Sequence, residues 1–386
     1  MKKIIMGMLS LMAFVFSVSK ENYAYTGFFD PSNISYHGKE CQSFNDTIFE
    51  DLYNDVEIDA TITVVENIKH LQKVTSIGML SEVTEADAGC SPTATQHKAA
   101  FSEQSWHPVW AAIHDYECYT DLKESFVEPM LANGIEAANL PSEYIAYKLK
   151  NLSPAVKEDA KLFIWFGEKL AANSDDTVAG IITPGKDVKF INLVDGFWTK
   201  IFAIVAGDAT KLTAGLATKN AQTSFANQKF NSTDTTNKVA TNVFSDLQTD
   251  ADARLYGLEN KVILCTQSLA IQYLKELEAV SGVPQAFDVL TNGMKVINRW
   301  GTLIIPMPFW DRMILKWNLN STSTAAYLPH RAILTTKDVL LAGFDSKSAI
   351  EQWQIWYEKK DKKIYTYGMY KLDTMIFKDY FIQTAY

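Results

Sequence analysis

The last part of the chain alternates apolar and polar residues in the way that β-strands require. Trp353, Ile355 and Tyr357 alternate with Gln354, Trp356 and Glu358, and runs rich in β-branched and aromatic residues follow at 363–377 and 380–386. The charged residues 359–362 separate the first two runs and predict a turn, so a β-hairpin is expected. Because a strand pair is not stable alone, the C-terminal strands are predicted to return to a sheet built by earlier parts of the chain.

A second strand pattern lies in the first third of the chain. Residues 58–80 and 99–119 are strand-like and are separated by a polar stretch that contains Gly89 and Pro92. This order predicts a protruding hairpin with little core of its own. Its tip, residues 82–96, has almost no apolar area to bury, so we expect contact with another chain to order it.

The segments on either side of this hairpin differ in pattern. Residues 20–65 lack a sustained period and predict an extended arm, with a short helix at 47–53. After the hairpin, Thr120 is one predicted helix start. Ser153 followed by Pro154 is a second, because an N-cap residue and a proline at the first helical position are typical of helix N-termini.

An apolar stripe follows the second helix start. It includes Val156, Phe163 and Leu170, and Asn173 is the predicted end of the helix. The hairpin is therefore predicted to lead into a long helical section.

Helical and strand patterns then alternate over residues 174–329. The predicted elements are a helix at 244–256, a strand at 262–265, a helix at 268–279 and a strand at 301–306. This alternation predicts one α/β domain inserted before the C-terminal strands. Residues 306–311 could line a ligand groove, but a rigid exit from strand to loop is the preferred interpretation.

Composition limits the function classes. The chain has 386 residues, of which 47% are hydrophobic, and it contains 21 Phe, 17 Tyr and 9 Trp. A large core or large subunit contacts are therefore expected. The net charge of −9 argues against a general nucleic-acid-binding protein, which needs a basic face, but not against a container whose wall faces DNA.

The first 19 residues allow two interpretations. Lys2 and Lys3 precede an apolar run, and Ser17 and Ser19 follow it, which is the pattern of a secretory signal peptide. The run is short for a transmembrane helix, which needs about 20 residues. The alternative is a hydrophobic arm of a subunit that assembles with its copies.

The cysteines are Cys41, Cys90, Cys118 and Cys265. Their wide, irregular spacing contains no zinc-binding pattern, and four reduced thiols are predicted. An exported protein could instead pair them.

Two groups of residues are candidates for metal sites. His97, His107 and His114 cluster in the hairpin but lack metal-ligand spacing, so they are interpreted as strand histidines that are solvated or hydrogen-bonded. Asp246, Asp250 and Asp252 suggest a cation loop, yet Arg254 stands where a ligand oxygen would be needed. They are interpreted as helix-capping and surface acids.

No catalytic arrangement is recognisable in the sequence. It contains no GxSxG, no GxGxxG and no P-loop motif. We therefore predict no catalytic, cofactor-binding or metal-binding residues, no cofactor and no enzymatic activity.

One stretch of the chain resembles a known family. The run HRAILTTKDVLLAGFDS (His330–Ser346), followed by WYEKKDKK and the final IQTAY, resembles the C-terminal third of the major capsid proteins of tailed phages that infect Bacteroidota, the crAss-like phages above all. The resemblance implies the α+β fold of tailed-phage capsid proteins, the Hong Kong phage capsid fold. The implied parts are an apolar N-terminal segment (1–19), an N-terminal arm (20–65), an extended hairpin loop (66–119), a peripheral domain with a spine helix (120–173 and 330–386) and an axial domain (174–329).

The resemblance also implies a function. The expected protein is a structural subunit of an icosahedral phage head, which assembles with its copies into pentamers and hexamers around double-stranded DNA. Scaffold, portal and head-decoration proteins are the other expected partners, without sequence-specific DNA binding and without a membrane in the mature shell. Assembly is expected in the host cytoplasm. The alternative is an exported bacterial surface or binding protein, secreted or periplasmic, with a cleaved signal peptide.

Overall fold

A computed structural model describes residues 61–77, 101–118, 142–171, 182–183, 185–290, 293–320, 322–345, 354–358 and 360–386. These residues form helices and strands in mixed order, so the predicted α+β class is confirmed. The predicted helix at 47–53, the hairpin tip at 82–96 and the predicted helix start at Thr120 lie outside the described residues. Of the helices that are described, none is both long and apolar enough to cross a bilayer.

The strands are numbered in chain order. They are β1 (Thr63–Val65), β2 (Lys73–Ile77), β3 (Phe101–Ser105), β4 (Val109–Cys118), β5 (Leu212–Thr213), β6 (Lys261–Cys265), β7 (Asp288–Val289), β8 (Lys295–Arg299), β9 (Thr302–Pro306), β10 (Ala332–Thr336), β11 (Leu340–Phe344), β12 (Gln354–Glu358), β13 (Lys363–Ile376) and β14 (Gln383–Ala385).

The α-helices are numbered in the same way. They are α1 (Ser142–Phe166), α2 (Phe197–Gly207), α3 (Ala217–Asn220), α4 (Phe225–Gln228), α5 (Ser232–Thr236), α6 (Val239–Thr249), α7 (Ala253–Tyr256), α8 (Gln267–Ser281) and α9 (Pro308–Trp317).

The described residues fall into two compact units. The first contains residues 112–118, 142–157, 354–358 and 360–369. In it β12 pairs antiparallel with the first part of β13, so the predicted C-terminal hairpin with its charged turn is present. The first part of α1 is fastened to β4 by Lys148, which donates to the carboxylates of Asp115 and Glu117. These two hydrogen bonds raise the pKa of Lys148, although burial alone would lower it.

The second unit is built on a seven-stranded mixed sheet with the order β5-β14-β10-β6-β9-β8-β7. β6 and β9 are parallel, whereas β10 is antiparallel to both β6 and β14. Side chains of α6 and α8 pack on its central strands in one hydrophobic core, with Phe244 and Tyr273 in contact edge to face. In the same unit β1 runs parallel to β11, and β11 pairs antiparallel with the last part of β13.

The second strand of the predicted hairpin is divided into two. β3 pairs with β2, whereas β4 pairs with β13 instead. The chain leaves the β2–β3 ribbon at Trp106, which is buried, and Pro108 then removes a backbone donor just before β4. The prediction of one continuous strand at 99–119 was therefore wrong.

Both predicted ends of the long helix were also wrong. The helix begins by Ser142, so Pro154 lies inside it. The proline leaves the carbonyl of Lys150 without its helical donor, but both residues are exposed and water can satisfy that carbonyl. The helix ends at Phe166, and the carbonyl of the following Gly167 accepts from Gly196 N over 2.8 Å. Leu170 is exposed instead of continuing the apolar stripe.

Residues 330–386 are divided between two sheets. β10 and β14 are neighbouring inner strands of the seven-stranded sheet, next to β6 and β5 from the segment 174–329. Every residue of β10 is buried, which requires covering on both faces and partners at both edges. The sequence-based boundary at residue 329 therefore cuts through one sheet.

Residues 306–311 do not form a strand-to-loop exit, because α9 begins at Pro308. A proline is favourable at the first position of a helix, where its missing N–H is not needed. Phe309 and Trp310 lie in the first turn of this helix and are buried in the core.

Candidate functional site

The base of the β2–β3 ribbon is held in the second unit by a buried tryptophan. Trp106 packs with Ile68, Leu341 and Met375 in a small hydrophobic cluster. A β-carbon on Gly343 would lie 2.7 Å from the Ile68 side chain and 2.9 Å from the Trp106 ring, so the absence of a side chain there makes room for both. The cluster therefore fixes where the ribbon leaves the core.

Backbone hydrogen bonds complete this attachment. Leu71 N donates to Trp106 O over 2.8 Å, and Trp106 N donates to Gln72 O over 3.0 Å. His107 N donates to the carboxylate of Asp373 on β13 over 2.6 Å. Beyond this base the two strands pair with each other and expose alternating polar residues, including Lys73 and Glu103, whose charged groups are 2.5 Å apart. The ribbon is a projecting element with a rigid root.

A buried guanidinium lies next to the seven-stranded sheet. Arg331 is fully buried, and its guanidinium carbon is 5.0 Å from the Trp198 ring centroid and 5.5 Å from that of Phe166. It donates to the backbone carbonyls of Leu328 and Tyr327 over 2.8 and 3.1 Å. Burial lowers the pKa of Arg331 to about 9. The Arg331 side chain thus holds residues 327–328 next to the Trp198 and Phe166 rings, which is a structural role.

His330, the neighbouring residue, joins separate segments of the same unit. Its Nε2 donates to Gln228 O over 2.7 Å, so Nδ1 accepts from the Ser268 hydroxyl over 2.9 Å. Asn220 bonds both the backbone N–H and the carbonyl of His330. The Phe230 ring lies 4.2 Å away, between centroids. Because Nε2 faces a carbonyl oxygen and not a carboxylate, this serine–histidine pair lacks the third group of a nucleophilic triad.

Burial lowers the pKa of His330 to about 4, below its ordinary value near 6.5. The unfolded chain therefore takes up this proton first, so the stabilisation is complete above pH 6.5 and is lost as the pH falls towards 4. We expect His330→Asn to reduce the loss of unfolding free energy between pH 7.5 and 4.5 by roughly 2–3 kcal/mol relative to the unchanged protein. Chemical denaturation at both pH values measures this.

The matched control for this prediction is His114→Asn, which alters an exposed histidine on β4. It should keep the pH dependence of the unchanged protein. An equal pH dependence in the His330 and His114 variants would contradict the assignment of the acid sensitivity to His330.

Two carboxylates, the half-buried Asp311 and the buried Glu276, cap helices other than their own. Asp311 of α9 accepts from Gln267 N over 2.6 Å and from Ser268 N over 3.3 Å, at the start of α8. Burial raises the pKa of Asp311, although these hydrogen bonds oppose the shift. Glu276 of α8 accepts in the same way from Ala240 N and Thr241 N at the start of α6. Both carboxylates accept hydrogen bonds from N–H groups that have no acceptor within their own helix, because they lie in its first turn.

The histidines considered in the sequence are placed separately. His107 approaches the Ser105 hydroxyl at 3.3 Å, and the His114 ring packs at a tilt of 51° against the Tyr367 ring, with centroids 4.9 Å apart. His97 lies outside the described residues. Among the residues that the structure describes, no group of three or more histidines, cysteines or carboxylates is arranged as metal ligands.

The three aspartates are also separate. Asp252 caps α7 and binds Arg254, whose hydrogen bonds lower the pKa of Asp252 to about 2. Asp250 accepts from the Thr213 hydroxyl over 3.0 Å. Asp246 lies inside α6. Their interpretation as capping and surface acids agrees with these contacts for Asp252.

The sequence interpretation missed the roles of Arg331, His330, Asp311 and Lys148. One signal was present for the first two, because two ionisable residues directly before the apolar run Ala332–Leu334 are unusual next to a buried strand. The partners of Asp311 and Lys148 lie tens of residues away in sequence, so no local pattern indicates them.

The comparisons with known proteins give no family model and no curated protein that matches this chain. Among solved structures, the chain is similar to one from the satellite phage P4 procapsid that includes the size determination protein, with 10% identity and a TM-score of 0.47 over 89% of this chain and 98% of that one. It is also similar to the capsid structure of the cyanophage P-SCSP1u, with 11% identity and a TM-score of 0.39 over 88% and 87% of the two chains.

A third similar structure is the virus-like particle from Pyrococcus furiosus. Its identity with this chain is 8% and the TM-score is 0.40, over 90% of this chain and 100% of that chain.

Proposed function

We propose that this chain is a non-enzymatic structural subunit of an icosahedral phage head, which assembles with its copies into pentamers and hexamers around double-stranded DNA. The observation that carries the proposal is the β2–β3 ribbon. Its root is fixed in the core by Trp106, whereas its two strands pair only with each other among the described residues. A two-stranded ribbon is marginal in water, so it needs the surface of a neighbour.

The order of the elements supports the same function. A ribbon, a 25-residue helix, an α/β sheet and returning C-terminal strands follow one another, as the resemblance of residues 330–346 implies. We assign the ribbon to the extended loop, α1 with the strands of the first unit to the peripheral domain, and the seven-stranded sheet with its helices to the axial domain. The segments 1–19 and 20–65 complete the assignment as apolar segment and arm. The end of the arm at residue 65 was predicted too late, because Thr63–Val65 form β1 and pair with β11.

The finer expectations rest on the resemblance alone. They are a crAss-like phage of a Bacteroidota host, assembly in the host cytoplasm, and scaffold, portal and head-decoration proteins as partners. The run His330–Ser346 supports them, since it is the stretch in which the resemblance was found.

Self-assembly is the first expected result. Under native conditions the purified chain should elute from gel filtration as particles or capsomers much larger than 43.4 kDa, and negative-stain images should show closed shells. Light scattering measures the mass directly. A well-folded monomer at every protein and salt concentration would contradict the proposal.

The alternative, an exported surface or binding protein, is favoured by the signal-like pattern of residues 1–19. It requires removal of this segment and permits disulfides among the four cysteines. Intact-mass spectrometry of the protein from its native source, with and without reduction, separates the two proposals. The shell subunit should retain four thiols, and Cys265 is already placed as a buried thiol whose pKa is raised by burial.

A further inference from the structure

The segment from the start of α3 to the end of α5, Ala217–Thr236, contributes no fully buried apolar side chain to the second unit. Its two buried residues are Asn220 and Gln228, and both carry amide side chains. The Phe230 ring is half-buried and packs against the hydrophobic core. Because this α3–α5 segment buries little apolar surface, hydrogen bonds hold it in place, and its local opening needs less free energy than global unfolding.

The two buried amides bind the chain just before β10. Gln228 Nε2 donates to Ala326 O over 2.6 Å, and Gln228 Oε1 accepts from Ala326 N over 2.9 Å. Asn220 binds the backbone carbonyl and N–H of His330 in the same way, over 2.8 and 3.0 Å. The His330 ring adds a second link, because Nε2 donates to Gln228 O over 2.7 Å and the Phe230 ring packs against it. His330 therefore contacts both buried residues of the segment and its half-buried ring.

The other nitrogen of the His330 ring faces α8 and constrains the ring to its neutral form. Nδ1 accepts from the Ser268 hydroxyl over 2.9 Å. A proton added at Nδ1 would require Ser268 to accept instead, and the hydroxyl hydrogen would then have to turn to Thr266 Oγ1, which is 3.4 Å away. That distance is longer than a normal hydrogen bond between hydroxyl groups. The protonated ring would thus be a buried cation beside a weakened hydrogen bond, which is unfavourable.

The charged groups around His330 do not compensate such a cation. They are Lys219 of α3, Asp234 of α5, the adjacent Arg331, and Asp311 of α9 on the far side of Ser268. Lys219 and Asp234 pair with each other over 2.7 Å, and Asp311 accepts from backbone N–H groups at the start of α8. Neither carboxylate bonds the imidazole ring. Water can therefore hydrate a charged His330 ring only when the α3–α5 segment moves away from it.

We propose that His330 is an acid-sensitive latch: when its ring takes up a proton, the α3–α5 segment detaches from the second unit while the seven-stranded sheet remains folded. In the open state the ring contacts water and has the ordinary pKa near 6.5, whereas burial lowers the pKa of the closed ring to about 4. The stabilisation of the closed state is therefore complete above pH 6.5 and is lost as the pH falls towards 4. This device goes beyond the shell function and does not depend on it.

Hydrogen exchange of the full chain, corrected for the intrinsic effect of pH on amide exchange, tests the proposal. Amides of the α3–α5 segment should lose protection roughly 25-fold between pH 7.5 and pH 5. At both pH values they should exchange faster than the amides of β6 and β10, because the segment opens without the sheet. Addition of about 1 M urea should change the protection of the segment little, since its detachment exposes much less surface than global unfolding.

Two variants separate His330 from other acid-sensitive groups. His330→Asn should reduce the pH effect on the segment to less than about twofold, whereas His114→Asn, at an exposed histidine, should keep the loss of roughly 25-fold. The unchanged protein gives a measurement that needs no variant, because the protection of the segment should fall about sevenfold between pH 6 and pH 5, the slope of a single proton. Protection of the segment that does not depend on pH, equal losses in both variants, or segment amides that exchange only together with β6 and β10 would each overturn the proposal.

Discussion

Gly196→Ala is expected to lower the free energy of unfolding by about 3 kcal/mol or more. A β-carbon at this position would lie 2.6 Å from Gly167 N, 2.8 Å from Phe163 O and 2.8 Å from the carbonyl carbon of Trp165. All three atoms belong to the backbone, so no side-chain rotation can relieve the overlap. Gly196 N also donates to Gly167 O over 2.8 Å, and this hydrogen bond draws the two chain segments together.

Urea denaturation of Gly196→Ala and of the control Gly207→Ala measures this effect. A β-carbon on Gly207, the last residue of α2, would meet no atom within 4 Å. The control should therefore change the unfolding free energy by less than about 0.5 kcal/mol. Similar losses in both variants would show that the close approach of residues 167 and 196 is not what the substitution disturbs.

Trp106→Ala should lower the free energy of unfolding by about 3–5 kcal/mol, because it opens a large cavity at the root of the β2–β3 ribbon. The indole is fully buried among Ile68, Leu341 and Met375, and few small rearrangements can fill its volume. If the ribbon contacts a neighbouring subunit, its displaced root should also lower the yield of particles at temperatures where the subunit is still folded. Thermal melting and particle counts in negative stain report the two effects.

Trp110→Ala is the matched control for this substitution, since the same residue type lies four positions further along the chain and is 41% exposed. It should lower the free energy of unfolding by about 1 kcal/mol or less. Equal destabilisation by the two substitutions would mean that Trp106 is not the anchor of the ribbon. Normal particle yield from a destabilised Trp106 variant would show instead that assembly does not depend on the anchoring of the ribbon by Trp106.

Strands and helices with a strong local pattern were predictable from the sequence. β6 and β9 are apolar runs that lie inside a sheet, and the sequence located both within one or two residues. The helix predicted at 268–279 extends from Gln267 to Ser281, and Gly282 ends it with a positive φ of 67°. In each case the signal is contained in fewer than twenty neighbouring residues.

Features that depend on distant partners were not predictable. Pro154 has the local pattern of a helix start, yet the residues before it are helical as well and the chain continues through it. The start of α8 has no side-chain cap of its own, because Asp311 supplies the acceptor from another helix. Gly343 shows the same limitation, since only the fold brings Ile68 and Trp106 to it.

The row of aromatic rings formed by Tyr116, Tyr365 and Trp356 follows the same division. The strands that carry Tyr116 and Tyr365 were recognisable from alternation, and so was the charged turn at 359–362. Their arrangement as one row depends on the predicted β12–β13 hairpin and also on the pairing of β13 with β4, which the sequence did not indicate. The sequence therefore predicted the strands and the charged turn, and the strand pairing decided that the three rings lie side by side.

The position of β14 between β5 and β10 determines when this sheet can be completed during synthesis. Ala385 pairs with Thr213 and with Ala332, so the ribosome must add about 170 residues after β5 before that strand has its partner. At typical elongation rates this takes roughly 10–35 s. Synthesis that stops before residue 383 leaves one edge of β10 unpaired and open to aggregation. A chain that terminates before β14 therefore cannot complete this sheet.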